Sequence, residues 1–94
     1  MAVLTQTEIE KKLSECTGWS IAEGQLRRTF TAPSFHRAMA LAVQAGMLAD
    51  VADHHPDIDI RYNKVTFALS THSEGGITQK DFDLAARIDE AFAQ

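Results

Sequence analysis

The segment from Ile58 to Leu69 constrains the fold more than any other. Ile58, Ile60 and Tyr62 alternate with Asp59 and Arg61, while Val65, Phe67 and Leu69 alternate with Thr66, Ala68 and Ser70, with Asn63-Lys64 between the runs. A period of two places all the apolar side chains of an extended chain on one face. The segment therefore reads as a β-hairpin with one side to bury. A lone hairpin cannot hide that side from water, so the rest of the chain must cover it.

The flanking sequence supplies a second hairpin and three helices. Trp19-Ser20-Ile21 and Leu26-Arg27-Arg28-Thr29-Phe30 are strand-like runs separated by Ala22-Glu23-Gly24-Gln25, where Gly24 admits a positive φ. Thr5-Gln6-Thr7-Glu8 is a capping box with Leu4 and Ile9 as its staple, followed by Ile9, Leu13 and Cys16 at helical spacing and by Gly18 as terminator. Pro33 and Ser34 open a second helix with Phe35, Ala38, Met39, Ala42, Val43 and Met47 on its apolar face, and Pro56 forbids its continuation. After Gly75-Gly76, Thr78-Gln79-Lys80-Asp81 forms another capping box, stapled by Ile77 and Phe82, with Leu84, Ala85, Ile88 and Phe92 pointing inward. The order α-β-β-α-β-β-α predicts an α+β fold, a four-stranded antiparallel sheet with three helices packed on one face. With 94 residues, no repeat and no Gly-, Ser- or Pro-rich linker, residues 1–94 read as a single domain.

Several classes of function are disfavoured. Nine basic against thirteen acidic residues give a formal charge of −4 and no basic stripe to track phosphates, so no nucleic-acid partner is expected. The longest apolar stretch, Ala38 to Ala49, is broken by Gln44 and falls short of the roughly 20 residues a membrane span needs, so no membrane partner is expected either. Cys16 is the single cysteine, and Met1 to Leu13 carries Glu8 and Glu10 where a signal peptide would be apolar; a cytoplasmic setting is the expectation. A domain this small buries only about 60–65% of its unfolded surface, which makes self-association a natural supplement.

The candidate chemistry lies in the histidines. His54 and His55 stand at the predicted end of the long helix, and His72 lies just past the strand that begins at Val65. Asp50, Asp53, Asp57 and Asp59 surround the pair in sequence, and Asp81 opens the last helix. Neighbouring carboxylates and a helix C-terminus favour the charged imidazole, and such a ring gives or takes a proton near cellular pH. With no serine elbow or reactive cysteine beside them, these groups suit proton transfer rather than covalent catalysis. Plainer readings stand beside this one. A His pair before proline also occurs where imidazoles cap helix carbonyls, Asp81 is fully explained as the third residue of its capping box, and Asp50 and Asp53 also fit a solvated helix face. His36 reads as a surface residue, Cys16 and Trp19 as core. Three histidines and a carboxylate are also a potential zinc or iron set, and hence a metal-dependent hydrolase, but neighbouring His54 and His55 lack the i, i+4 spacing that puts two ligands on one helix face.

Asp50-x-x-x-His54-His55-Pro56, five residues to Tyr62, nine more to His72 and eight more to Asp81 form a specific pattern, supported by Gly18-Trp19, Ser70-Thr71-His72 and Gly75-Gly76-Ile77-Thr78. In these residues the chain resembles the pterin-4a-carbinolamine dehydratases over nearly its whole length. The resemblance implies dehydration of a 4a-hydroxytetrahydropterin to a quinonoid dihydropterin, a step that recycles the cofactor of aromatic amino-acid hydroxylases. It implies that His54 and His72 transfer protons and that His55 binds and orients the pterin. Asp50 and Asp53 would hold and polarise the group, and Pro56, Thr71 and Asp81 would line or brace the pocket. It further implies no metal or cofactor and a homodimer or homotetramer. A non-catalytic protein-binding module on the same fold is the alternative.

Overall fold

The structure, a computed structural model, describes residues 2–93, so Met1 and Gln94 at the ends of the expected domain lie outside the described residues. Its elements are α1 (Gln6–Ser14), β1 (Ser20–Ala22), β2 (Gln25–Thr31), α2 (Phe35–Ala52), β3 (Asp57–Arg61), β4 (Lys64–Leu69) and α3 (Gln79–Ala93), with a short 3-10 turn at His72–Glu74. The four strands form one antiparallel sheet in the order β1-β2-β4-β3.

Register explains which face is covered. Leu26 pairs with Leu69 and Phe30 with Val65, while Ile58 lies across from Phe67 and Ile60 from Val65, so these side chains share one side of the sheet. Leu26, Phe30, Val65, Phe67 and Leu69 are buried there with Leu41, Ala45 and Ala49 of α2 and Leu84, Ala85 and Ile88 of α3; Ile9 and Leu13 of α1 pack against the same cluster. The opposite face carries Thr29 and Thr66, whose hydroxyls meet at 2.7 Å.

Local chemistry sets the boundaries. Ala22 pairs with Gln25, which leaves Glu23-Gly24 as a two-residue loop with φ of 55° and 74°, the geometry that matches strand twist. Arg61 pairs with Lys64, so the second turn is Tyr62-Asn63 rather than Asn63-Lys64; Tyr62 leaves the strand with φ 54° and is exposed. The Thr5–Glu8 capping box forms as read, yet α1 stops at Ser14, and Cys16 lies beyond it, half-buried. Burial and nearby acidic charge from Asp89 and Glu15 push the Cys16 thiol up from its ordinary value.

The apolar face expected for α2 needs correction. Ser34 caps the helix by accepting from the Arg37 N–H, but the buried positions are Ala38, Leu41, Ala45 and Ala49. Phe35, Met39, Val43 and Met47 are exposed, and Val51 continues their stripe. Sequence bulk pointed to the larger residues, whereas a helix lying close on a sheet and on a second helix takes its alanine side inward. Phe92, expected inside, is likewise 38% exposed at the end of α3.

Candidate active site

The site begins where α2 ends. Asp53 adopts the left-handed conformation at φ 51° and ψ 45°, its N–H donating to Asp50 O and Ala49 O, and the His54 N–H donates to Ala49 O at 3.0 Å. This pairing is a Schellman turn. It halts the helix just before both histidines, three residues ahead of Pro56, so neither ring is held on the helix. The reversal sends neighbouring side chains to opposite environments: His54 is 8% exposed, whereas the His55 side chain is 61% exposed.

His54 meets the start of α3. Its Nε2 is bonded to Asp81 Oδ1 at 2.5 Å, and Asp81 is completely buried. The second oxygen, Oδ2, accepts from the Thr78 N–H at 2.9 Å and from the Thr71 hydroxyl at 3.0 Å. Thr71 and Thr78 share a further hydroxyl bond of 2.7 Å. The backbone holds this geometry too, since Thr71 N–H donates to Gly76 O at 2.8 Å and closes the loop around the 3-10 turn. Asp81 thus spends one oxygen on the helix start, as its capping-box position predicts, and the other on an imidazole 27 positions away.

The other residues of the pattern lie around this buried knot. His55 Nε2 is bonded to Asp50 Oδ1 at 2.8 Å, both side chains well exposed. His72 follows Thr71 directly and is exposed on the 3-10 turn. Pro56 is half-buried between the histidine pair and β3. Asp53 acts through its backbone, and Thr71 turns its hydroxyl inward rather than toward solvent. Among the described residues, no group of three or more His, Cys, Asp or Glu side chains is arranged to hold a metal ion. A hollow of about 250 Å³ between α2 and α3 is lined by residues that include Arg37, Leu41 and Phe92, and one of about 290 Å³ on the open side of the sheet by residues that include Arg27, Thr29 and Thr66. No histidine lines either one.

Comparison with known proteins settles the family. The model of the pterin 4 alpha carbinolamine dehydratases matches residues 2–91. The chain belongs to that family. Relatives that bear the pterin-4-alpha-carbinolamine dehydratase name include one from Roseiflexus castenholzii, 55% identical over 95% of this chain and 96% of its own, and one from Chloroflexus aurantiacus, 48% identical over 96% and 97%. A crystal structure of a transcriptional coactivator/pterin dehydratase from Brucella melitensis superposes with a TM-score of 0.90 at 33% identity, covering 96% of this chain and 98% of that one. The α+β order and four-stranded sheet are therefore those of a pterin dehydratase structure.

Within this dehydratase-family site, sequence reasoning missed Thr78, which is fully buried and bonded to both Thr71 and Asp81. Its place in a capping box was visible; its hydroxyl bond across the loop was not. A second network also went unread. Asp89 accepts from Trp19 Nε1 at 2.9 Å and from Arg28 at 2.9 Å, and Arg28 lies 4.3 Å from the centre of the Phe30 ring.

Proposed function

We propose that the chain dehydrates 4a-hydroxytetrahydropterins to quinonoid dihydropterins by histidine acid–base catalysis. The observation that carries this reading is the buried His54–Asp81 pair, tied through Thr71 to the loop that bears His72. Loss of the 4a hydroxyl as water needs one proton delivered to the leaving oxygen, and collapse to the quinonoid product needs one proton removed from the neighbouring ring nitrogen. The bond broken is C4a–O, the nitrogen lone pair forms the new double bond, and no electrons leave the system. One acid and one base suffice, so the reading requires no metal or cofactor.

In this proposal His54, held by Asp81, and His72, exposed to solvent, are the proton-transfer groups. His55, oriented by Asp50, binds and aligns the pterin, with Pro56 shaping the rim. Asp53 contributes the turn that parts the two histidines. The protein would act in the cytoplasm to regenerate a tetrahydropterin used in aromatic hydroxylation, and the exposed stripe Phe35, Met39, Val43, Met47 and Val51 would be covered by further copies of the chain in a homodimer or homotetramer. The same stripe supports the second reading, a protein-binding module.

A stopped assay of quinonoid dihydropterin formation from chemically generated carbinolamine, with and without chelator, tests the proposal. His54→Ala and His72→Ala should each lower turnover by about 10² or more. Near-parental rates in both would reject their roles. Loss of activity with chelator would replace the metal-free scheme, and partner binding retained in both variants of a protein without activity would favour the module.

A further inference from the structure

The hydrogen-bond donors around Asp81 single out one nitrogen of His54. A carboxylate only accepts, whereas a threonine hydroxyl has one hydrogen to give. Thr71 gives its hydrogen to Asp81 Oδ2, so the 2.7 Å bond between Thr71 and Thr78 must take its hydrogen from Thr78. Thr78 Oγ1 in turn accepts from the Lys80 N–H at 3.3 Å. The chain of bonds runs in one direction, from Lys80 through Thr78 and Thr71 to Asp81. Oδ2 is thereby supplied by Thr71 and the Thr78 N–H, and Oδ1 is left to the imidazole, so the hydrogen between Asp81 and His54 is carried by Nε2.

Among the described residues His54 Nδ1 has no hydrogen-bond partner, yet no buried side-chain nitrogen or oxygen among them lacks one. Nδ1 therefore reaches the molecular surface although most of the ring is covered. We infer that Nδ1 of His54 is the atom that exchanges a proton with the substrate, and that Thr71 and Thr78 are positioning residues that fix this tautomer by orienting Asp81. Neither threonine touches the pterin: both are buried, and every bond drawn by their hydroxyls is spent inside the protein. The inference rests on the dehydratase reading only for the identity of the proton's destination; the tautomer stands without it.

The test is made on the full chain labelled with ¹⁵N, following the ring nitrogens of its histidines through a pH titration and assigning His54 by the signal lost in His54→Gln. The neutral His54 ring should show its hydrogen on Nε2 and a bare Nδ1, with protonation arriving at Nδ1. A neutral ring carrying its hydrogen on Nδ1 would overturn the inference, whether or not the protein turns over carbinolamine. Kinetics supply the second arm. Thr71→Val and Thr78→Val should lower kcat by about tenfold with KM within about twofold of the parent, and Thr71→Ser and Thr78→Ser should restore it. A raised KM at unchanged kcat would make the threonines substrate contacts and defeat the positioning role, as would parental kinetics in both valine variants. If the valine variants do not fold, the ring spectrum of the parent decides. A parent with no dehydratase activity but the Nε2-bound hydrogen would reject the proposed function and leave the tautomer intact.

Discussion

Asp81 and Asp89 lie on the same helix, eight residues or about 12 Å apart, and each ties that helix to a distant part of the chain. Asp81 is fully buried and receives a backbone N–H, a hydroxyl and an imidazole. Asp89 has a side chain 32% exposed and receives an indole and a guanidinium, the latter also bonded to Thr17 O. The difference is one of purpose. Around Asp81 every donor is spent on the carboxylate, and the other nitrogen of the imidazole has no partner among the described residues. Around Asp89 the donors are structural: Trp19 packs edge-on to Phe30, with ring centres 6.2 Å apart, and Phe30 does the same to Phe67 at 5.7 Å. One carboxylate at the head of α3 presents a group to solvent; the other, near its tail, locks aromatic rings together.

The comparison is most exposed to Asp81→Ala. That change strands buried donors on Thr71, Thr78 and His54, and it should cost about 3 kcal/mol in urea unfolding while lowering turnover about as far as His54→Ala does. Retained activity would remove the contrast. Asp89→Ala should cost about 1–2 kcal/mol, because its site is partly wet, with turnover held within about twofold. A large catalytic defect there would mean that the two ends of α3 are not separable. Gly18→Ala sharpens the second half: at φ 95° an added Cβ would sit 2.7 Å from Arg28 Cζ. It should cost about 1 kcal/mol or more through backbone strain and displacement of Arg28. A double-mutant cycle with Asp89→Ala should give a combined loss smaller than the sum, since both disturb the same ion pair.

Two further carboxylates serve as controls. Asp53→Gly should leave turnover unchanged and alter stability by no more than a few tenths of a kcal/mol in either direction, whereas Asp53→Ala should cost about 1 kcal/mol, because the left-handed turn needs a permissive backbone rather than a charge. A fall in turnover with Asp53→Gly would restore its carboxylate to the site. Glu8 is exposed, and the Thr5 backbone N–H, followed by the Thr5 hydroxyl, holds its carboxyl below the ordinary value of 4.5. A group lowered on folding stabilises above its ordinary value and loses that contribution as the pH falls through its folded value. The Tm gap between the parent and Glu8→Gln should therefore be widest near about pH 6 and close toward about pH 3; a gap that widens in acid would contradict the capping geometry.

Much of the architecture could be read from local rules. Alternation in Ile58–Leu69 placed the β3–β4 hairpin, and the capping boxes placed the starts of α1 and α3. Where reading failed, two local rules were both satisfied and only packing chose between them. On α2 the alanine side and the Phe35–Met47 side are both apolar, and the buried side is decided by how near the helix lies to its neighbours. At its end Pro56 gave a true stop signal, but the left-handed turn at Asp53 acted first, and no glycine advertised it. Of the site, the motif residues were legible, and so was the capping role of Asp81. The bond from Asp81 to His54 spans 27 positions and the bond from Asp89 to Trp19 spans 70. Neither has a spacing signature, because each depends on where a finished sheet sets the ends of two helices.

The turn at Asp53 also sorts the histidines by reactivity. His36, His55 and His72 are exposed, while His54 is buried. An acylating reagent added to the chain would consume three imidazoles quickly and the fourth slowly, so the time course of labelling alone would report which ring is anchored to the carboxylate.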